Sequence, residues 1–424
     1  MEKRKCLLAI SLMLICSFMT GGMYVNAQEN TDDVYIISGI VKDMRTKKAV
    51  EYVNVSAVGT NVGTVTNEDG EFAIKLSNSI NVKEIQLSCI GYYNARVSIA
   101  RNSQEEQTFF ITPESFQLSE IQVFSWKNPR DLVKAALDQV EGNYVMNPNM
   151  LTGFYRETIQ KRRRYINISE AVLEVYKSPY NQSADQDRVK VLKGRKLVSP
   201  KKADTLSVKF LGGPNMSIYM DVVKNPDVLL DQDILQYYAY KMGETTSIDD
   251  RLQYVVHFEP QAILPYPLYI GTLYIDRETL SFTRAEFKMD MRDKLKVTDA
   301  ILKEKPRGLR FTPEEVAYVV TYKQQEGKTC LNYIRNEIKF KCDWKRRLFA
   351  TNYVVSSETV ITNRTDQNVE RIPAKESFSM RQSLSQEVAL YQDDNFWGNY
   401  NIIEPTESLE SAVDKLRKQQ LKSQ

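Results

Sequence analysis

The sequence predicts a mainly β protein in two parts. A small β-sandwich of the seven-stranded type comes first, and a larger antiparallel curved sheet, a half-barrel covered by a few helices, follows it. Three observations predict this. Val53, Val55 and Ala57 alternate with Asn54, Ser56 and Val58, the period of a half-buried strand. Much further along, Tyr269–Asp276 and the run 280–289 are two alternating stretches joined by the polar turn Arg277-Glu278-Thr279, a hairpin with its turn chemistry in place. Hydrophobic residues make up 42% of the 424 residues and aromatics 10%, with 24 Tyr, enough for real cores in two or three domains of about 150 residues each.

In chain order, residues 1–27 read as a signal peptide. Lys3-Arg4-Lys5 is a basic start, Cys6 to Met19 is an uncharged apolar core, and Val25-Asn26-Ala27 offers small residues at a cleavage site, so the mature chain is expected to begin at Gln28. Cys16 raises the question of a lipoprotein, but the bulky Ile15 stands where a lipobox wants a small residue. The apolar core is shorter than the ~20 residues that span a bilayer, so no transmembrane span is expected in the mature chain.

Residues 34–124 carry the sandwich. Asn67-Glu68-Asp69-Gly70 is a tight turn, since Asn and Asp tolerate left-handed backbone and Gly supplies positive φ, and Phe72, Ile74 and Leu76 return as an alternating strand. A calcium loop is the other reading of this acidic turn, but the spaced carboxylates and closing Glu are missing. Ile85, Leu87 and Cys89 alternate up to Gly91-Tyr92-Tyr93, and the stretches 109–111 and 118–123 complete the run. The opening Ser38-Gly39-Ile40-Val41-Lys42-Asp43, the stretch from Gly59 to Phe72 and the Gly-Tyr corner resemble the carboxypeptidase-regulatory-like domain. That family is an accessory β-sandwich of cell-envelope proteins in Gram-negative bacteria. The resemblance implies an exported protein of the periplasm or outer-membrane periphery, and a module that is not catalytic. In large transporters with this module, a TonB-dependent plug follows; here a helix does. Asn128 can cap it, Pro129 suits its first turn, and Leu132, Val133, Ala136, Leu137 and Val140 form one apolar stripe.

Residues 128–365 read as long strands with two covering helices, at 131–144 and 215–223. Ile334, Ile338, Phe340, Cys342 and Trp344 lie on one face against Arg335, Glu337, Lys339, Lys341 and Asp343 on the other, as in an antiparallel sheet with one wet face. The Tyr274-Ile275-Asp276 hairpin returning through Thr283-Arg284-Ala285 is similar to those of LolA-like half-barrels, which implies a hydrophobic cavity closed by helices. Residues 366–424 form a tail. In it Phe396, Trp397 and Tyr400 beside Gly398 read as an aromatic clasp onto the sheet, and a charged helix over 409–420 ends the chain. That ending, without a terminal aromatic strand, does not fit a large outer-membrane barrel.

The chemistry is expected to be binding without turnover. His257 is the only histidine and falls in a strand, so a two-His zinc site is excluded, and no nucleophile elbow, phosphate-cradling loop or Cys/His dyad is present. Glu157 and Glu170, on facing strands, are the candidates for a hydrolytic carboxylate pair. Cys330 and Cys342 lie on what reads as one strand, about 40 Å apart at ~3.3 Å per residue, beyond disulfide reach; with Cys89 they read as buried thiols. Lys161-Arg162-Arg163-Arg164, the densest basic run, reads as a solvated hairpin tip rather than a lipid contact. The formal charge of +3, with both signs interspersed along the chain, gives no nucleic-acid footprint.

These readings name no catalytic, cofactor or metal residues, expect no cofactor, and leave the binding residues unassigned. The expected partner is a lipid, a glycan or an envelope protein, with a structural or assembly role in an outer-membrane complex, or a carboxylate-dependent hydrolase, as alternatives.

Overall fold

The computed structural model describes residues 34–99, 107–114, 126–204, 206, 208–210, 212–345, 349–379, 384–387 and 397–422. The expected signal peptide with Cys16 and Gln28, the stretch 118–123 and Phe396 lie outside the described residues.

Strands β1 (Val34–Asp43), β2 (Asn54–Ala57), β3 (Gly63–Val65), β4 (Glu71–Ser77), β5 (Glu84–Ser88), β6 (Ala95–Ser98) and β7 (Gln107–Ile111) form two small sheets, ordered β4-β1-β7 and β3-β2-β5-β6. The alternation read from the sequence is the inward face. Val53, Val55, Ala57, Phe72, Ile74, Leu76, Ile85, Leu87, Phe109 and Ile111 are buried in one cluster. At roughly 1.5–3 kcal/mol per fully buried side chain, that cluster is a core in its own right. The turn between β3 and β4 forms as predicted. Asn67 Oδ1 accepts from the backbone N–H groups of Asp69 and Glu71, both at 2.9 Å. Gly70 takes φ +76°, and a Cβ there would lie 2.7 Å from the Val41 carbonyl oxygen, so only glycine fits.

The second part is one curved, open, antiparallel sheet of eleven strands. Its strands are β8 (Asn149–Lys161), β9 (Arg164–Lys177), β10 (Arg188–Val198), β12 (Tyr238–Met242), β13 (Thr246–Ile248), β14 (Arg251–Pro260), β15 (Tyr269–Asp276), β16 (Phe282–Met289), β18 (Leu309–Gln325), β19 (Lys328–Trp344) and β20 (Thr351–Thr365). The order is β10-β9-β8-β20-β19-β18-β16-β15-β14-β12, with β13 also on β14. A two-stranded ribbon, β11 (Lys209–Phe210) with β17 (Leu302–Glu304), stands apart. The predicted hairpin is β15 and β16, with Leu280 in the left-handed region at its turn.

The side-chain period of two assigns the faces. Tyr155, Phe258, Leu273, Ile275, Phe287, Tyr318, Val320 and Ile334 point inward with the helices Pro129–Asp138, Pro214–Tyr219 and Lys294–Ile301. Asn128 caps the first through its side chain, which accepts from Arg130 N, and Leu132, Val133 and Ala136 are its buried stripe. Both covering helices are shorter than the sequence predicted. The first ends at Asp138 and resumes as the single turn Val140–Asn143, and the second stops at Tyr219 because the chain turns to bury Val222 and Val223 among the tyrosines of the inner face. The space under the helices, where the LolA-like resemblance implies a cavity, is occupied by these side chains.

The outer face is not uniformly wet. Over β8, β9 and β20 it is covered by the sandwich and the tail: Val65, Phe154, Tyr333, Val360, Ile402 and Ile403 form a buried cluster with Tyr52 and Trp397 at its edge. The terminal helix, Glu407–Leu421, lays Leu409, Val413 and Leu416 on Ile168 and Leu197. Cys330 and Cys342 are buried on the uninterrupted β19, and Cys89 is half-buried; burial pushes all three thiols up to about 11.

Candidate functional site

Register places one residue from each of ten strands in a single row across the outer face. The row runs Arg195, Glu170, Arg156, Glu358, Arg335, Val319, Glu286, Thr272, His257, Lys241. Such a row is a property of strand pairing and is invisible in any one strand.

Its first half is covered. Glu170 is fully buried between Arg156 (Nε–Oε1, 2.7 Å) and Arg195 (Nε–Oε2, 2.5 Å). Burial alone would raise the Glu170 carboxyl, but the two guanidiniums outweigh it and hold the group below the usual carboxylate value. Arg156 continues to Glu358 at 3.1 Å and donates to the Ile403 carbonyl of the tail at 2.7 Å. Arg335 reaches Glu68 of the sandwich at 2.9 Å and lies over the Tyr52 ring.

The tail is held between both parts. Asn401 bridges the backbone N and O of Lys75, Thr64 donates to the Ile402 carbonyl, and Asn67 donates to that of Pro405. Trp397 stands edge-on to Phe154, 5.1 Å between centroids, with the Arg195 guanidinium 5.1 Å over its ring, and Lys193 lies over Tyr400. The clasp read from Trp397 and Tyr400 is therefore a contact of the tail with the sheet. The acidic turn Asn67-Glu68-Asp69-Gly70 meets the tail through Asn67 and Asp69, Asp69 accepting from Glu407 N, and meets the sheet through Glu68.

A polar cleft of about 270 Å³ remains between turn, sheet and tail, with Glu68, Glu337, Glu358 and Glu404 facing Arg156, Arg335 and Lys339. Burial, then the neighbouring carboxylates, raises Glu68, and burial raises Glu404. Burial also opposes ionisation of Glu337, but Lys339 and Arg335 hold it low. Most of these charges are paired within the cleft, Glu358 with Arg156, Glu68 with Arg335, and Glu337 with Arg335 and Lys339, so the cleft reads as interface.

The second half of the row lies in the open. Across β12, β14, β15, β16 and β18 the outer face sinks into a trough of about 630 Å³. Lys241, His257, Thr272 and Glu286 cross it, and Glu259, Ile270, Lys288 and Ala317 form the neighbouring row. His257 Nδ1 lies 2.9 Å from Thr272 Oγ1, and Glu286 accepts from Arg284. The floor is thin at Gly271. A Cβ there would lie 2.2 Å from the Glu286 carbonyl oxygen and 2.8 Å from the Phe258 ring, so a glycine is required for β15 to pack.

The other residues singled out from the sequence do not converge here. Glu157 shares a face with Tyr155, whose hydroxyl donates to it at 3.1 Å, whereas Glu170 projects from the opposite face, so the two carboxylates cannot flank one substrate. At the basic hairpin tip, Lys161 and Arg164 both engage Asp204, and Arg162 and Arg163 are exposed. Among the described residues, no group of three or more His, Cys, Asp or Glu side chains is placed to hold a metal ion.

Sequence reasoning missed a buried network on the inner side. Lys177 Nζ lies 2.9 Å from Asp187 and 2.8 Å from Asp221, and Asp221 also accepts from the hydroxyls of Tyr180 and Tyr322 at 2.9 and 2.8 Å. Lys224 donates to the carbonyls of Ser178, Pro179 and Gln182. Of these groups Asp187 borders a surface cleft with Asp185, Arg188 and Asn215, while Lys177 and Asp221 lie fully buried behind it, and the network reads as the fastener of the 178–187 and 220–225 segments.

Comparison with known proteins bears on the two parts differently. Residues 37–123 match the family model described as the CarboxypepD_reg-like domain. No curated protein sequence matches the chain. Among solved structures, a DUF1329 family protein from Desulfovibrio piger ATCC 29098 aligns over 57% of this chain and 93% of its own, at 14% identity and a TM-score of 0.23. A protein of unknown function from Bacteroides fragilis NCTC 9343 aligns over 78% of this chain and 98% of its own, at 9% identity and a TM-score of 0.15. TM-scores this low establish neither a shared fold nor a shared function for the large sheet. Among the described residues no helix is long and apolar enough to cross a membrane. The N-terminal sandwich of this chain is thus the part that matches the CarboxypepD_reg-like family model, and it is joined to a large open antiparallel sheet.

Proposed function

We propose that this chain is a non-catalytic binding protein of the cell envelope and that its ligand lies in the outer-face trough. The observation that carries the reading is an open concavity of about 630 Å³ on a part of the outer face away from the cluster that sandwich and tail bury. That volume falls within the range of small-ligand sites, about 300–1,000 Å³. The envelope-type sandwich supports an exported location at the periplasm or outer-membrane periphery.

The lining selects the ligand class. An acyl chain needs an enclosed apolar wall, and the enclosed side of this sheet is filled by its own aromatic residues. The trough instead sets His257, Thr272, Glu286 and Lys288 across a shallow floor with Ile270 and Val319 between them. Donors, acceptors and both charges in the open suit a glycan or an extended segment of an envelope protein. A purely structural accessory is the second reading, favoured by the extent of outer surface that the sandwich and tail already occupy.

Native mass spectrometry after gentle extraction from the envelope tests the choice, with Thr272→Trp filling the trough. The expected result is a bound mass in the natural protein that is lost in the variant at unchanged thermal midpoint. A clean unliganded mass in both would transfer the reading to the structural accessory.

A further inference from the structure

The charges that alternate along the chain do not alternate in space. One end of the large sheet gathers the β8–β9 tip, the segments 201–204 and 209–210, the loop 261–268, the stretch 290–310 and the end of β19. Contacts tie these together: Arg162 N donates to the Asn352 carbonyl, Lys161 and Arg164 engage Asp204, Lys209 pairs with Glu304, Lys296 donates to the Leu264 carbonyl, and Leu309 sits opposite Trp344. Among the described residues of 161–164, 201–204, 209–210, 261–268, 290–310 and 343–345 there are fifteen Lys and Arg against six Asp and Glu. The whole chain has 57 against 54, so this end holds a positive excess larger than that of the entire protein. The acids present are largely spoken for, Asp204 by Lys161 and Arg164, Asp290 by Arg292, and Glu304 by Lys209.

The same end carries the most exposed large apolar side chains described. Ile263 is 88% exposed, Leu295 78% and Phe349 76%, each on a separate loop, helix or hairpin, with Tyr266 at 50%. Isolated exposed apolar residues are ordinary. Several projecting from the loops of one end, inside a field of Lys and Arg, are the pattern of a surface that sets apolar side chains between lipid headgroups while its cations meet anionic phosphates.

We infer that this basic end of the sheet docks on an anionic lipid surface, with Ile263, Leu295 and Phe349 entering the headgroup region. The lipid is chosen over a soluble polyanion because a polyanion would use the cations and leave three apolar side chains in water. This contact is independent of the trough and would hold whether or not the trough binds a ligand.

Cosedimentation with vesicles tests it. The purified natural protein is compared with Arg162→Glu/Arg163→Glu/Arg307→Glu and with Ile263→Ser/Leu295→Ser/Phe349→Ser, all sharing one N-terminus so that any affinity residing there cancels. Vesicles are phosphatidylcholine alone or with about 30 mol% phosphatidylglycerol. The natural protein is expected on the anionic vesicles only, and less so at about 0.5 M salt. Each triple variant is expected to bind them at least about tenfold more weakly, with unchanged thermal midpoints because every substituted residue is exposed. Equal binding to neutral vesicles, or natural affinity in both variants, would overturn the proposal. So would retention on heparin without retention on vesicles, which would assign the basic end to a soluble polyanion.

Discussion

Glu170→Gln should cost about 3 kcal/mol at neutral pH, the low end of what removing one partner of a buried ion pair costs, and less in acid. Gln keeps the volume, so no cavity term enters, and what is lost is the charge that compensates two guanidiniums at 2.7 and 2.5 Å. The low end applies because Arg156 keeps Glu358 and the Ile403 carbonyl, and Arg195 keeps the Trp397 ring. The pH dependence follows from the direction of the shift. The folded carboxyl sits below its ordinary 4.5, the two arginines outweighing burial, so its contribution is fully present above 4.5 and is lost as pH falls through the folded value. Urea denaturation followed by tryptophan fluorescence reads the difference, urea being preferred because guanidinium is itself a salt and screens charge. Measured at pH 7 and near pH 3, the gap between natural and variant protein should narrow at the acid end. A gap under about 1 kcal/mol at pH 7, or one unchanged by acid, would refute the claim that this carboxylate holds the covered half of the row.

Trp397→Ala should cost about 2 kcal/mol, less than the 3–5 of a fully buried Trp because the ring is half-buried against Phe154 and Arg195, and limited proteolysis should then cut the tail first. Selective loss of ligand uptake at full stability would instead move the binding site to the tail. Asp221→Ala should cost about 3 kcal/mol in thermal or urea unfolding, since it removes one of the two carboxylates on the buried Lys177, which keeps Asp187, and the acceptor of two buried tyrosine hydroxyls; a neutral effect would remove the fastener reading. Lys323→Met should stabilise the protein at pH 7. Burial pushes the Lys323 ammonium down to about 8 from 10.5, so the folded state is penalised below about 8 and recovers as pH rises toward 10.5. The natural protein's thermal midpoint should gain on that of the variant over this window, and parallel pH profiles would contradict the assignment.

The sequence by itself determined the strands and which side of each faces a core. Val53, Val55 and Ala57, Phe72, Ile74 and Leu76, and Ile334, Ile338 and Phe340 are buried as their alternation demands, because a period of two is local and one buried face suffices to set it. The Asn67–Gly70 turn and the Asn128 cap were equally legible, since backbone sign and a side-chain acceptor act over four residues. Only the tertiary structure decided what the outward residues do. Arg195, Glu170, Arg156, Glu358 and Arg335 read singly as solvated strand positions, and it took register across five strands to make them one row and the docking of sandwich and tail to bury Glu170 and Arg156 at its centre. Glu157 and Glu170 were correctly placed on facing strands, but a one-residue offset sends neighbours to opposite faces. The trough and the basic end are likewise sums over loops and strands distant in sequence. Charge interspersed along a chain carries no record of which loops the fold will bring to the same end of a sheet.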